Sequence, residues 1–102
     1  MIRFYKEIYS DETTEPNISK ISNSILKNEH IPSLYLIMLA SNPCEQLDIY
    51  SYRMFKMALQ HRKDTLIVGI ASSRKSAMEL ICKMALDCYE KNNDYDFRKM
   101  FS

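Results

Sequence analysis

The segment Ser72-Ser73-Arg74-Lys75-Ser76 comes nearest, by residue type and spacing, to a small-ligand site in this chain. It follows an apolar run, residues 65–71, and opens a long helical pattern. A helix start presents free N–H groups and a partial positive charge, which suits a phosphate or a carboxylate. Ser73 could donate a hydroxyl, and Arg74 and Lys75 could supply charge. The competing reading is structural. Ser72 or Ser73 caps the helix, and Arg74 and Lys75 are simply solvated, placed where they oppose the helix dipole. The glycines of a P-loop or of GxGxxG are absent, so those two phosphate-binding motifs are excluded.

Other groups carry less chemistry. His30 and His61 have no metal-ligand partner on a shared helix, and each reads as a surface histidine. Cys44 follows Pro43 in a loop, with nothing to pair it to either histidine. Asp11, Glu12 and Glu15 read as a solvated acidic loop. Cys82 and Cys88 are six residues apart on a helical pattern, about 120° around it, so they neither bridge nor share a metal, and both read as reduced and mostly buried. A second basic group, Arg53, Lys56, His61, Arg62 and Lys63, has aromatic neighbours in Tyr50, Tyr52 and Phe55 that could stack on bases. The intervening seven-residue strand, about 23 Å long, separates Arg62-Lys63 from Arg74-Lys75, which makes nucleic acid the weaker alternative. No catalytic residue, no cofactor and no metal is expected.

These groups must be positioned by a single domain, since the chain has 102 residues. Net charge is +1, too small to drive binding to nucleic acid or an anionic membrane. No apolar signal core or membrane-length run is present, so a cytoplasmic protein is expected, without membrane contact. Residues 2–9 alternate as a half-buried strand, with Ile2, Phe4 and Ile8 on one face and Arg3, Tyr5, Glu7 and Tyr9 on the other. Pro16 suits a helix start, and Ile18, Ile21, Ile25 and Leu26 make an apolar stripe. That predicts a helix over 17–30, stopped before Pro32.

Residues 34–40 are apolar throughout. A turn at 41–43 leads to a strand over 47–52 and a hairpin. Residues 53–61 read as a short helix with Met54, Met57 and Ala58 inward, 65–71 as a strand, and 74–91 as a long helix stopped by Asn92-Asn93-Asp94. Phe97, Met100 and Phe101 predict one more docking turn. The order β-α-β-β-short α-β-α defines a small mixed α/β or α+β domain with four strands. Strands 34–40 and 65–71, apolar on both faces, are expected at the centre, and the two-faced strands at the edges. The ferredoxin-like plan has a similar order but would centre the first and third strands instead. Gly69, grouped with Ile67 and Ala71, suggests a helix backbone packed close against the sheet.

The last helix carries more apolar surface than one contact needs. Ala77, Leu80, Ile81, Met84, Ala85 and Cys88 form the stripe expected to face the sheet. Met78, Cys82, Leu86 and Tyr89 form a second, with Glu79, Lys83 and Asp87 as a narrow polar stripe beside them. A flank of this kind meets another part of the fold or another subunit.

The segments Leu36-Ile37-Met38-Leu39-Ala40-Ser41-Asn42-Pro43 and Ile67-Val68-Gly69-Ile70-Ala71, then Ala77, Glu79 and Leu80, and the ending Asp94-Tyr-Asp-Phe-Arg98, resemble a group of short uncharacterised proteins from Clostridia-like Gram-positive bacteria. The resemblance implies a bacterial, cytoplasmic origin and carries over no functional residue. Its members often have glycines where this chain has Ser72-Ser73. The expectation for function is a module acting through protein contacts, as a homodimer or with a protein partner. A small anionic-ligand site at Ser72 to Ser76 is the alternative.

Overall fold

A computed structural model describes residues 2–31, 33–40, 46–59 and 64–101. The expectations placed on Pro32, the turn at 41–43, Cys44, His61 and the Arg62-Lys63 pair lie outside them.

The four strands are β1 (Ile2–Ser10), β2 (Tyr35–Leu39), β3 (Leu47–Ser51) and β4 (Thr65–Ala71). They form one open sheet in the order β1-β4-β2-β3. β1 runs parallel to β4, and β2 is antiparallel to both β4 and β3. The two strands apolar on both faces are central and the two mixed strands are edges, as the burial logic requires. The hairpin between β2 and β3 pairs Tyr35 with Ser51 and Leu39 with Leu47.

Helices cover both faces. α1 (Ile18–Leu26) and α2 (Tyr52–Ala58) lie on one side, and α3 (Arg74–Asn92) and α4 (Phe97–Met100) on the other. Alternation along β2 divides the layers: Leu36 and Met38 face α1 and α2, while Ile37 faces α3. On β1, Ile2, Phe4 and Ile8 pack on the α1 side and Tyr5 and Tyr9 on the α3 side. The edge strand is thus half-buried on both faces, and its larger aromatics meet α4: the Tyr5 and Phe101 rings sit edge-to-face with centroids 4.8 Å apart.

α1 is shorter than the predicted 17–30. A 3-10 turn over Glu15–Asn17 holds Pro16 in its first positions, and the α-helix runs only from Ile18 to Leu26. Asn28 ends it by adopting φ 59°. The Asn28 N–H donates to the Ile25 carbonyl and the Glu29 N–H to Ser24, the paired bonds of a left-handed helix stop. Asparagine takes this role in a chain with one glycine, and Asn93, at φ 62°, takes it again at the end of α3. Leu26, expected in the apolar stripe, is exposed; Ile25 is the buried member.

α2 corrects a second expectation. It begins at Tyr52, capped by the Ser51 hydroxyl, which accepts from the Met54 N–H at 3.3 Å. Met54 and Met57, read as inward, are exposed, whereas Tyr52 and Phe55 are buried with Leu59 packed beside them. Both stripes have helical spacing. The aromatic one wins because it removes more surface from water.

Gly69 sits at a bulge. Ile37 pairs with Gly69 and Met38 with Ile67, so β4 has one extra residue there. Val68 and Gly69 therefore both face α3, and Ile67 turns to the opposite layer, away from the face on which it was grouped with Gly69. A Cβ on Gly69 would stand 2.9 Å from both Ile37 Cδ1 and Met84 Cε. Side chains approach the glycine closely, where a helix backbone had been expected.

Candidate functional site

β1 and β4 are parallel neighbours, and the chain leaves their carboxyl ends toward opposite faces, to α1 and to α3. Open sheets with parallel strands hold ligands in the crevice such a divergence creates. In this chain the crevice receives the chain's own carboxylate. Asp11 Oδ2 accepts from the Ser72 N–H and from the Ser72 hydroxyl, both at 2.8 Å. Asp11 Oδ1 accepts from the Thr14 N–H at 2.9 Å and lies 2.7 Å from the Thr14 hydroxyl. Thr14 is buried, and its hydroxyl is also 3.1 Å from the Ile70 carbonyl and 3.4 Å from the Asp11 carbonyl, so its single proton can serve one of these three acceptors at a time. Burial pushes the Asp11 carboxyl up, but the bonds from Ser72 and Thr14 outweigh it and hold the group down at about 2.

The start of α3 is thus assembled around an internal anion. Ser73 is the N-cap: its hydroxyl oxygen accepts from the Ser76 N–H at 3.1 Å and stands 3.2 Å from the Ser76 hydroxyl. Arg74 and Lys75 are exposed. The five residues Ser72 to Ser76 do gather at one helix start, in a field that already contains Asp11. The adjoining hollow, about 520 Å³, is lined by Asp11, Glu12 and Glu79 together with Lys83. Asp11 was missed as an organising residue. Its spacing to Thr14 is a recognisable local capping pattern, whereas its contact with Ser72 spans 61 residues.

The two apolar stripes of α3 separate as follows. Ala77, Leu80, Met84 and Cys88 are buried, with Ile81 and Ala85 packed against them. Met78 is 48% exposed, Leu86 66% and Tyr89 48%. Cys82 is exposed as well, contrary to its reading as a buried cysteine, and is a free thiol; Cys88 is free and buried. Tyr95, also exposed, stacks on Tyr89 with ring centroids 5.3 Å apart and extends the apolar strip beyond the helix end. No element of the described chain covers this flank.

The polar stripe runs along β1. The Tyr9 hydroxyl donates to Asp87, and Lys83 Nζ lies 5.9 Å over the Tyr9 ring. Burial, followed by the bond and charge of Asp87, pushes the Tyr9 hydroxyl well above its ordinary value. This contact ties α3 to the sheet edge and lines a polar hollow of about 320 Å³ with Glu7, Glu15 and Lys91.

The basic residues Arg53 and Lys56 belong to α2 and Arg74 and Lys75 to α3, on opposite faces of the sheet. Among the described residues, no three His, Cys, Asp or Glu side chains gather as a metal site. No described helix is long and apolar enough to cross a membrane. Comparison of the chain with protein-family models, with curated proteins and with solved structures finds no match in any of the three.

Proposed function

We propose that this protein is a small interaction module that pairs with a second copy of itself through the outer flank of α3. The observation that supports it is the continuous strip Met78, Cys82, Leu86 and Tyr89, extended by Tyr95, which the chain leaves open to water. Each large side chain so exposed forgoes about 1.5–3 kcal/mol of burial.

Charge supports a copy of the same helix as occupant. Lys75 lies at the first turn about 25° from the strip's centre and Glu90 near the last about 85° from it, at the polar border, while Lys91 points about 180° away at 100° per residue. A cation early in a helix and an anion late in it oppose the dipole of that helix. Two copies related by a two-fold axis perpendicular to α3 run antiparallel, so the Lys75 turn of each lies across from the Glu90 turn of the other and the two dipoles also complement. From Met78 to Tyr89 the strip is about 17 Å long and about 10 Å wide, well under the roughly 800 Å² per partner of a standard interface. The pairing is therefore weak and concentration-dependent. A cytoplasmic setting belongs to this reading, because it keeps the exposed Cys82 thiol reduced at the centre of the strip.

Sedimentation of the wild type and of Leu86→Glu tests the proposal. The wild type should show a reversible monomer–dimer equilibrium and the variant a folded monomer. A wild type that stays monomeric at millimolar concentration overturns it.

A further inference from the structure

We propose that the crevice between the α1–β2 connection and α2 binds a small organic anion that carries a flat apolar part. The site lies at the carboxyl end of β3, on the face of the sheet opposite α3. A hollow of about 410 Å³ is lined there by His30, Ile31, Tyr52, Arg53 and Lys56. A second hollow of about 230 Å³ shares the first four of these and continues past Ser33 and Tyr35. The larger one is of the size that accepts small ligands.

The crevice lies at the sheet end that carries the carboxyl ends of β1, β4 and β3, where α2 leaves β3 onto the face opposite α3. Asp11 closes the part of this edge next to β1. The part next to β3 remains open.

The floor is built and rigid. Tyr52 is 4% exposed. Its N–H donates to the Leu34 carbonyl at 2.8 Å, and its hydroxyl to the Glu29 carbonyl at 2.8 Å, so one residue ties α2 to both ends of the connection. Burial and then the Glu29 charge push that hydroxyl up, which keeps it a donor. Ser33, at φ 52°, turns the chain into β2 beside it.

The charge on the walls has one sign. His30, Arg53 and Lys56 line the hollows and no carboxylate does. Lys56 Nζ is held 4.8 Å over the Tyr52 ring. Arg53 and Lys56, three apart on α2, project from adjacent turns. Among the described residues, neither Arg53 nor His30 has a carboxylate partner. A guanidinium without a partner beside an apolar wall suits a bidentate anion, and Ile31 with the rim of Tyr52 suits the flat portion of the same molecule.

Amide NMR of the full chain, in the Leu86→Glu background so that self-association is silent, tests this with phenyl phosphate as the probe. Saturable shifts are expected at His30, Ile31 and Tyr52 to Lys56, with inorganic phosphate binding more weakly. Arg53→Gln should weaken phenyl phosphate by about tenfold or more. Arg53 is exposed, and the same spectra report whether its variant is folded. If Arg53→Gln disturbs the fold, Lys56→Gln takes its place with the same expected loss. Shifts confined to residues 72–76, no saturation up to about 10 mM, or unchanged affinity in the folded variant would each overturn the proposal.

Discussion

Three pairs of identical residues on α3 stand on opposite terms with water. Met84 is fully buried and Met78 is 48% exposed; Leu80 is 7% exposed and Leu86 66%; Cys88 is buried and Cys82 exposed. Within each pair the two are six residues apart, about 120° around the helix. Residue type is the same on both sides, so hydrophobicity alone does not assign a side chain to the core. What assigns it is the direction of the sheet. The inner stripe meets Ile37, Val68 and Ala71 and the rings of α4, while no described element covers the outer stripe, whose Tyr89 stacks on Tyr95.

The comparison breaks most visibly at the methionines. Met84→Ala removes a fully buried side chain beside Gly69 and should cost about 2–5 kcal/mol. Met78→Ala should change stability by less than about 0.5 kcal/mol. Urea denaturation of the two variants measures the difference, and equal losses would mean that the outer stripe is also core.

The start of the same helix gives the next largest effect. Asp11→Ala leaves the Ser72 and Thr14 N–H groups without their acceptor and should destabilise by about 2 kcal/mol. The pH dependence has a definite sign. The folded carboxyl is held down at about 2 against an ordinary 3.8. Its contribution is therefore full above the ordinary value and is lost as pH falls through about 4 toward 2. Wild type should lose stability over that window more steeply than Asp11→Ala, as read by denaturation midpoints at stepped pH.

Gly69→Ala probes the inner side from the sheet. The new methyl would crowd the ends of the Ile37 and Met84 side chains, both fully buried, so these must shift to admit it. A loss of about 1–3 kcal/mol is expected, and Met84→Ala in the same chain should recover part of it by vacating the space. The smallest perturbation sharpens the comparison without mutation. A thiol reagent under native conditions should modify Cys82 rapidly and Cys88 only at the rate of opening, as read by peptide mass mapping. Similar rates at both sites would place them in similar surroundings.

Much of the site was legible before any coordinates. The outer stripe of α3 stood out because ten of the thirteen residues from Ala77 to Tyr89 are apolar, more than one sheet contact can use. A serine N-cap at Ser72 or Ser73 and the asparagine stop of α3 followed from local chemistry, which a sequence states directly, and the structure selects Ser73. The organising role of Asp11 was not legible, because its partner lies 61 residues away and an acidic loop looks solvated until something donates to it. The cationic crevice was half legible. Arg53 and Lys56 were noticed as a basic group, but their company with His30 and the floor made by Tyr52 depend on where the α1–β2 connection returns to the sheet.

By itself the sequence determined the kinds and order of the elements and the choice of central strands. Those are properties of short windows: a 3.6 or 2.0 period, a cap, or a run apolar on both faces that only a doubly covered strand can hide. Only the tertiary structure decided which of two helical stripes on α2 turns inward, which side of Gly69 each β4 residue faces, and that the outer stripe of α3 goes uncovered. Each of those choices compares burial against surfaces that come from distant parts of the chain. A single inserted residue at the Val68–Gly69 bulge is enough to exchange the faces of a strand. Local pattern restricts such alternatives to a few, and long-range packing selects among them.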